Sequence, residues 1–453
     1  MSILDREHTV AGPGYSRWLV PPAALAIHMC IGQVYGFSVF NLPLTRVLGV
    51  SKSAPDDWKL TSIALIFGVA IVFLGLAAAV FGTWLERAGP RKAMFAAACC
   101  FCGGFAIAAL GVKLHQFGLV IGGYGVLGGI GLGIGYISPV STLIKWFPDR
   151  PGMATGMAIM GFGGGAMIGS PLAVNLMKHF SSPSSTGVAE TMLAMGVLYF
   201  VIMMFGVFTV RVAPPGWKPE GFVPRPAGQQ GLVTAANVTA ASAIRTPQFW
   251  LLWGVLFLNV SAGIGVLQTA SPIIQQTLGV SAAAAAGFVG LLSLFNMGGR
   301  FFWSSLSDKL GRKPIYNIYF ILGALLYALV PLTAKLHSVP LFVVVVCVII
   351  SMYGAGFATV PAYLRDLFGT VQVGAIHGRL LTAWSAAGVV GPLLINFMRD
   401  YQVAHGVNLA QSYNTTMYIL AGFLVAGLLC NLAVGPVAQR FWQSEEPPLK
   451  IAA

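Results

Sequence analysis

Arg300 stands in LFNMGGRFFW, inside an apolar run, with Asn296 four residues before it and therefore on the same face of a helix. Counted back from Asp308 at about 1.5 Å per residue, Arg300 lies ~12 Å from the nearer interface, close to the centre of a bilayer. An Arg at that depth costs at least ~2.5–3.5 kcal/mol on insertion scales, so it needs a watery cavity or a fixed partner. The apolar runs hold almost no Asp or Glu. The expected partner is thus a bound anion, with a structural ion pair as the alternative. A guanidinium presents two parallel N–H donors, which suits a carboxylate. Arg379, in GAIHGRLLTAWSAAGVVGP, is the second intramembrane Arg and lies at most ~15 Å from the loop near Gly369. It either binds a second carboxylate or serves at the mouth of a cavity. His28 and His377 are candidates for proton coupling, because imidazole titrates near neutrality; the alternative is an ordinary hydrogen-bonded interior histidine. Gln33, Tyr35, Tyr136, Tyr353 and Trp384 offer polar tips in otherwise apolar segments, as substrate contacts or as core.

The elements that must position these residues follow from composition. The chain has 453 residues, 57% hydrophobic and only 9% charged, whereas soluble globular chains carry roughly a quarter charged residues. Twelve apolar runs, each long enough for a ~30 Å hydrocarbon core, read as membrane helices at 18–40, 60–84, 93–112, 117–144, 152–177, 190–210, 248–272, 284–304, 315–335, 339–362, 373–396 and 415–437. The fold class is all-α integral membrane. One long polar stretch, 211–247, rich in Pro, Gly and Gln, divides a six-helix half (1–210) from a second (248–453). A net charge of +13 does not indicate nucleic acid, since Lys and Arg sit in short breaks between apolar runs. Assigned to alternate connections, they favour the side of both termini by more than two to one, with Arg225 and Lys450 in that group, so both termini are expected in the cytoplasm of a multi-pass inner (plasma) membrane protein. The six cysteines all fall in apolar segments without metal or disulfide spacing and are expected as small core residues. The polar N-terminus is followed by an apolar run too long for a signal-peptide core, so no cleavage is expected.

The two halves repeat. GTWLERAGPRK, with Glu86, Arg87 and Arg91, follows the second span, and SSLSDKLGRK, with Asp308 and Arg312, follows the eighth. Gly135 with Gly356, Phe147 with Phe368 and Pro171 with Pro392 pair off at nearly the same interval, which implies two similar bundles around a central cavity. In each loop Gly permits a tight reversal, while the acid can pair with cations or a helix end as a gate. The glycine runs GGIGLGIG and GFGGGAMIGS lack a following Lys-Ser or Lys-Thr and lie within helices, so they read as packing surfaces rather than phosphate cradles. Pro139, Pro171, Pro361 and Pro392 are expected to bend their helices. No catalytic motif, cofactor motif or metal-ligand spacing is present, so an enzyme is not expected.

AIHMCIGQVYGFSVFNLPL, IKWFPDRPGMATG, NMGGRFFWSSLSDKLGRK and AIHGRLLTAWSAAGVVGPLL resemble the oxalate/formate antiporter family of the major facilitator superfamily, over nearly the whole chain. The resemblance implies transport of small organic anions, and Arg300 matches the Arg that binds the carboxylate in the related monocarboxylate transporters. Two positions differ. The oxalate antiporter has a Lys in the eleventh span, where this chain has only Arg379 near its start, and animal monocarboxylate carriers have an Asp at the place of Asn296. The leading expectation is a monomeric alternating-access carrier of a small monocarboxylate such as lactate, pyruvate or formate, by anion exchange or proton symport. An oxalate:formate exchanger using Arg300 and Arg379 is the first rival. A non-transporting sensor or a channel on the same scaffold is the rival from another class.

Overall fold

The computed structural model describes residues 2–223, 232–234 and 236–443. Twelve helices are long and apolar enough to span a membrane: α1 (Arg17–Leu44), α2 (Leu60–Ala88), α3 (Pro90–Lys113), α4 (Phe117–Trp146), α5 (Pro151–Phe180), α6 (Val188–Thr209), α7 (Pro247–Leu278), α8 (Ala284–Leu310), α9 (Arg312–Lys335), α10 (Val339–Phe368), α11 (Val373–Ala404) and α12 (Leu409–Ala433). Each expected span is present. Several run further than hydropathy suggests: α7 continues past Pro272 to Leu278, and α11, which holds Pro392 within it, continues past 396 to Ala404. Inside a bilayer, neighbouring helices can satisfy the backbone groups that a proline frees, so proline does not terminate a span as it would in water. At the other end of the chain α12 stops before the expected 437, just ahead of Gly435 and Pro436.

Local sequence fixes the helix ends. Thr246, Ser281 and Ser338 accept from the backbone N–H three residues on, at the starts of the seventh, eighth and tenth helices. Gly89 and Gly311 have φ of 85° and 90°, a conformation that side-chain-bearing residues rarely adopt. They turn the chain between α2 and α3 and between α8 and α9 with no loop at all. α1 is not uniform, since Gly32–Phe40 winds as a 3-10 helix.

With twelve spans, the described residues before α1, after α12 and between α6 and α7 lie on one side, here termed the linker face. Arg225 and part of the 211–247 stretch, as well as Lys450, fall outside the described residues. The halves meet mainly through α5 against α8 and α2 against α11. Small residues make those contacts close: a Cβ on Gly378 would run into the Ala78 carbonyl, and one on Gly152 into the Ser304 carbonyl. The side-chain hydrogen bonds that join the halves gather at the linker face, through Glu86, Asp308 and Arg365, with Arg300–Ile159, Tyr35–Tyr353 and Ser385–Ile71 added around mid-span. The protein is therefore closed at the linker face. Of the cysteines, Cys30, Cys102 and Cys347 are buried, but Cys99 is exposed on the outer surface of α3, which corrects the expectation of six core thiols.

Candidate functional site

Arg300 projects from α8 into the interface between the halves. Its Nε donates to Oδ1 of Asn296 at 3.0 Å, the i, i+4 neighbour, and its Nη1 donates to the carbonyl of Ile159 in α5 at 3.3 Å. The guanidinium carbon lies 5.8 Å from the ring centre of Phe162 and 5.4 Å from that of Phe357, within cation–π range. No carboxylate pairs with it among the described residues, and Nη2 has no hydrogen-bond partner. The sequence predicts either a watery cavity or a fixed partner for this charge. The structure encloses Arg300 fully, at 0% exposure, between aromatic faces and a backbone carbonyl. Two glycines make room for it, because a Cβ at Gly163 would be 2.9 Å from Nε and one at Gly354 3.2 Å from Cγ.

A ring cluster from both halves surrounds the guanidinium. Trp384 of α11 contacts Tyr136, Phe162 and Phe357 with ring centres 5.2, 5.3 and 4.5 Å apart, and Phe162 also meets Tyr35 at 5.2 Å. The Tyr35 hydroxyl is 3.0 Å from that of Tyr353, so α1 and α10 are tied across the interface. The Tyr136 hydroxyl and the Trp384 indole N–H are buried without partners, as is Arg300 Nη2. Below Tyr136 toward the linker face lies His377, its ring centre 5.9 Å from that of Tyr136, and beside Tyr136 lies His28, whose Nε2 is 3.2 Å from the Tyr136 carbonyl.

Arg300, Asn296, Tyr35, Tyr136, Tyr353, Trp384, His28 and His377 thus converge. Two predicted contacts do not. Gln33 turns away from Tyr35 into the first half, where its Oε1 accepts from Tyr199 at 3.3 Å and abuts Gly169. Arg379 follows His377 by two residues, close to the opposite side of the helix. Because helix begins only at Val373, Arg379 is about 9 Å deep, shallower than Arg300. No bond joins it to the ring cluster, and its Nη1 is buried without a partner among the described residues.

The two acidic loop residues clamp the linker face. Glu86 accepts from the Gly374 N–H at the start of α11, 3.0 Å, and pairs with Lys145 at 2.6 Å. Asp308 accepts from the N–H groups of Gly152 and Met153 at the start of α5, both 2.8 Å, and pairs with Arg312 at 2.6 Å, which pairs in turn with Asp366 at 3.1 Å. Each acid therefore caps a helix of the other half, where the helix dipole favours negative charge. Arg365 adds a bond to the Pro148 carbonyl at 3.2 Å. Arg87 and Arg91 do not share this arrangement: Arg87 is exposed, and Arg91 is buried within the first half, donating to the carbonyls of Val207, Phe208 and Ile3. Sequence reasoning missed Phe162, Phe357 and the Ile159 carbonyl. Phe162 sits in a glycine run read as packing, Phe357 lies one helical turn after Tyr353, and a carbonyl carries no residue signature.

An all-helical fold of twelve spans, with an intramembrane cation at the interface of two halves, defines a membrane carrier. The chain belongs to the Major Facilitator Superfamily, whose family model matches residues 23–392. It is a membrane transporter, not an enzyme. It is 28% identical over 379 residues to the oxalate:formate antiporter of Oxalobacter formigenes, covering 83% of each chain. It is 24% identical over 500 aligned positions to apicoplast pyruvate carrier 1 of Toxoplasma gondii, covering 91% of this chain and 88% of that one. Its fold matches that of the superfamily transporter FucP, solved in the outward conformation, with a TM-score of 0.64 at 12% identity, over 92% of this chain and 99% of that one.

Proposed function

We propose that this chain carries a small monocarboxylate, such as lactate, pyruvate or formate, by alternating access, with Arg300 as the anchor. The observation behind this reading is a wholly buried guanidinium, oriented by Asn296, that has no acidic partner among the described residues. A carboxylate would meet Nη2 directly, joined by the Tyr136 hydroxyl and the Trp384 indole N–H, the neighbouring buried donors without partners. To gain the second prong of the guanidinium fork it would displace either the Ile159 carbonyl or the Asn296 amide. Tyr35 and Tyr353 close the site on the side away from the linker. The names of the oxalate:formate and pyruvate relatives support a small organic anion.

Residues 1–210 and 248–453 act as the two rocking halves, joined by 211–247, in a monomer of the plasma membrane with cytoplasmic termini. On this reading the Glu86 and Asp308 clamps are the cytoplasmic gate. The oxalate:formate relative favours a second reading, exchange of a dicarboxylate held by Arg300 and Arg379 together. That reading requires Arg379 to turn toward the ring cluster. The test is counterflow in proteoliposomes with lactate, pyruvate, formate and oxalate as competitors. Competition by the monocarboxylates is expected. Strong counterflow of oxalate alone would replace the first reading by the second, and unsaturable flux without counterflow would revive a channel.

A further inference from the structure

The two intramembrane histidines differ in what holds them. His28 belongs to the first half and is bound there: its Nε2 is 3.2 Å from the Tyr136 carbonyl and its ring stands edge-on to that of Tyr136 at 5.3 Å. Both residues lie on helices of one half, so they travel together. His377 belongs to the second half, yet its nearest ring is Tyr136 of the first, across the moving interface. It is 1% exposed, and neither ring nitrogen has a hydrogen-bond partner among the described residues. A buried polar group left in that condition weakens a fold, which makes a purely structural role a poor account of it.

Among the described residues, His377 is the group of the site that titrates near neutrality and has neither ring nitrogen held. From α4 it faces Tyr136, with His28 of α1 behind. α2 turns Gly75, Ala78 and Gly82 toward α11, and its Glu86 is held by Lys145 of α4 and the Gly374 N–H. α7 contains no ionisable side chain. On α10, Asp366 is paired with Arg312 and Arg365, the Tyr353 hydroxyl meets Tyr35 and the Tyr363 hydroxyl meets Asn431. Arg379 is on the far side of its own helix. Asn296 cannot exchange a proton in the physiological range.

Resting on the carboxylate reading above, we infer that His377 is the proton-coupling residue of this carrier, whereas His28 is a fixed part of the first half. His377 lies about 6 Å inside the start of α11, on the linker side of Arg300. When α11 parts from α2 and α4, the ring meets the solution on that side, where an imidazole gains or loses a proton near neutrality. A carboxylate on Arg300 offsets the added positive charge of an imidazolium. Binding of each therefore favours the other by the same factor, and the two leave together when the interface opens. The proton is held on an imidazole lone pair and returned to solution, with no other bond made or broken.

The test uses the full chain in proteoliposomes, with labelled pyruvate, measuring both counterflow and accumulation driven by an imposed pH gradient. Wild type is expected to accumulate pyruvate several-fold, and a protonophore to abolish this. His377→Gln is expected to bring accumulation down to equilibration while lowering counterflow far less. His28→Gln is expected to lower both in proportion. Accumulation that survives in His377→Gln overturns the inference, as does wild-type counterflow that ignores the gradient. No counterflow with any of the four carboxylates overturns the carboxylate reading and this inference with it. Should the Gln variant fail to fold, proton uptake by the detergent-solubilised wild type on adding pyruvate decides the matter. About one proton per carboxylate is expected, and none overturns the assignment.

Discussion

At the linker face the two halves solve the same problem with different charges. Asp308 caps α5 and is braced by Arg312 and Asp366, a chain of ion pairs whose side chains are 7–13% exposed. Glu86 caps α11 and is braced by Lys145 alone, whose side chain is 29% exposed. Lys145 and Asp366 occupy matching positions in the repeat, so the sign of the bracing charge is reversed between halves, and Pro90 stands where the second half has Arg312. The same imbalance holds at the centre. The second half supplies Arg300, Asn296 and His377, while the first supplies rings and a backbone carbonyl. Repetition of the fold thus preserves the helix-capping geometry but leaves the buried cation of the centre to the second half.

The largest test of this asymmetry is Arg300→Lys. Loss of the planar fork and of its bonds to Asn296 and Ile159 should reduce carboxylate counterflow at least ~100-fold although the charge remains. Wild-type uptake would make Arg300 a structural charge and the halves functionally equal. Next come the clamps. Asp308→Asn breaks a buried pair, where such losses cost ~3–5 kcal/mol, whereas Glu86→Gln weakens a more exposed one, worth about 1 kcal/mol. With a single reporter cysteine at Ser304, labelling from the linker side should rise much more for Asp308→Asn, and equal rises would break the comparison. Gly163→Ala sharpens it from the first half. A Cβ beside Nε must displace the guanidinium, so KM for pyruvate should rise about tenfold, in line with ~1–3 kcal/mol for overpacking, with Vmax less affected. Unchanged KM would mean that α5 does not position the anchor.

The smallest effect is expected at the opposite face. There burial acts to raise the Asp57 carboxyl, but N–H donors of Leu48, Ala54 and Gly49 at 2.8, 2.8 and 3.1 Å hold it below the ordinary carboxylate range. The stability this carboxylate gives is complete above its unfolded pKa of about 3.9 and is lost as pH falls through the depressed folded value. Asp57→Asn should therefore loosen the 45–59 loop by about 1 kcal/mol at neutral pH, visible as faster proteolysis there. The wild-type loop should acquire that sensitivity only in strong acid, and transport should hardly change.

Much of this was legible in the sequence, for physical reasons. Twelve apolar runs announce twelve spans because the bilayer demands length and hydrophobicity at once. Asn296 and Arg300 announce each other because four residues are one helical turn. The clamps were half legible: the acids and glycines repeat, but nothing local says that Glu86 caps a helix of the other half while Arg91 holds its own. Gln33 and Tyr35 both offer polar tips in one apolar span, yet they face different ways along the 3-10 stretch Gly32–Phe40. A depth of up to ~15 Å for Arg379 is measured from the loop at Gly369, and the turn before Val373 contributes none of that depth.

α8 has the lowest mean hydropathy of the twelve spans, 1.2, and Arg300 is part of the reason. α5 precedes α8 in the chain, and the Ile159 carbonyl and the Phe162 face it carries receive the guanidinium. In the finished fold the first half thus supplies the contacts by which the second half's least apolar span carries its charge out of reach of lipid.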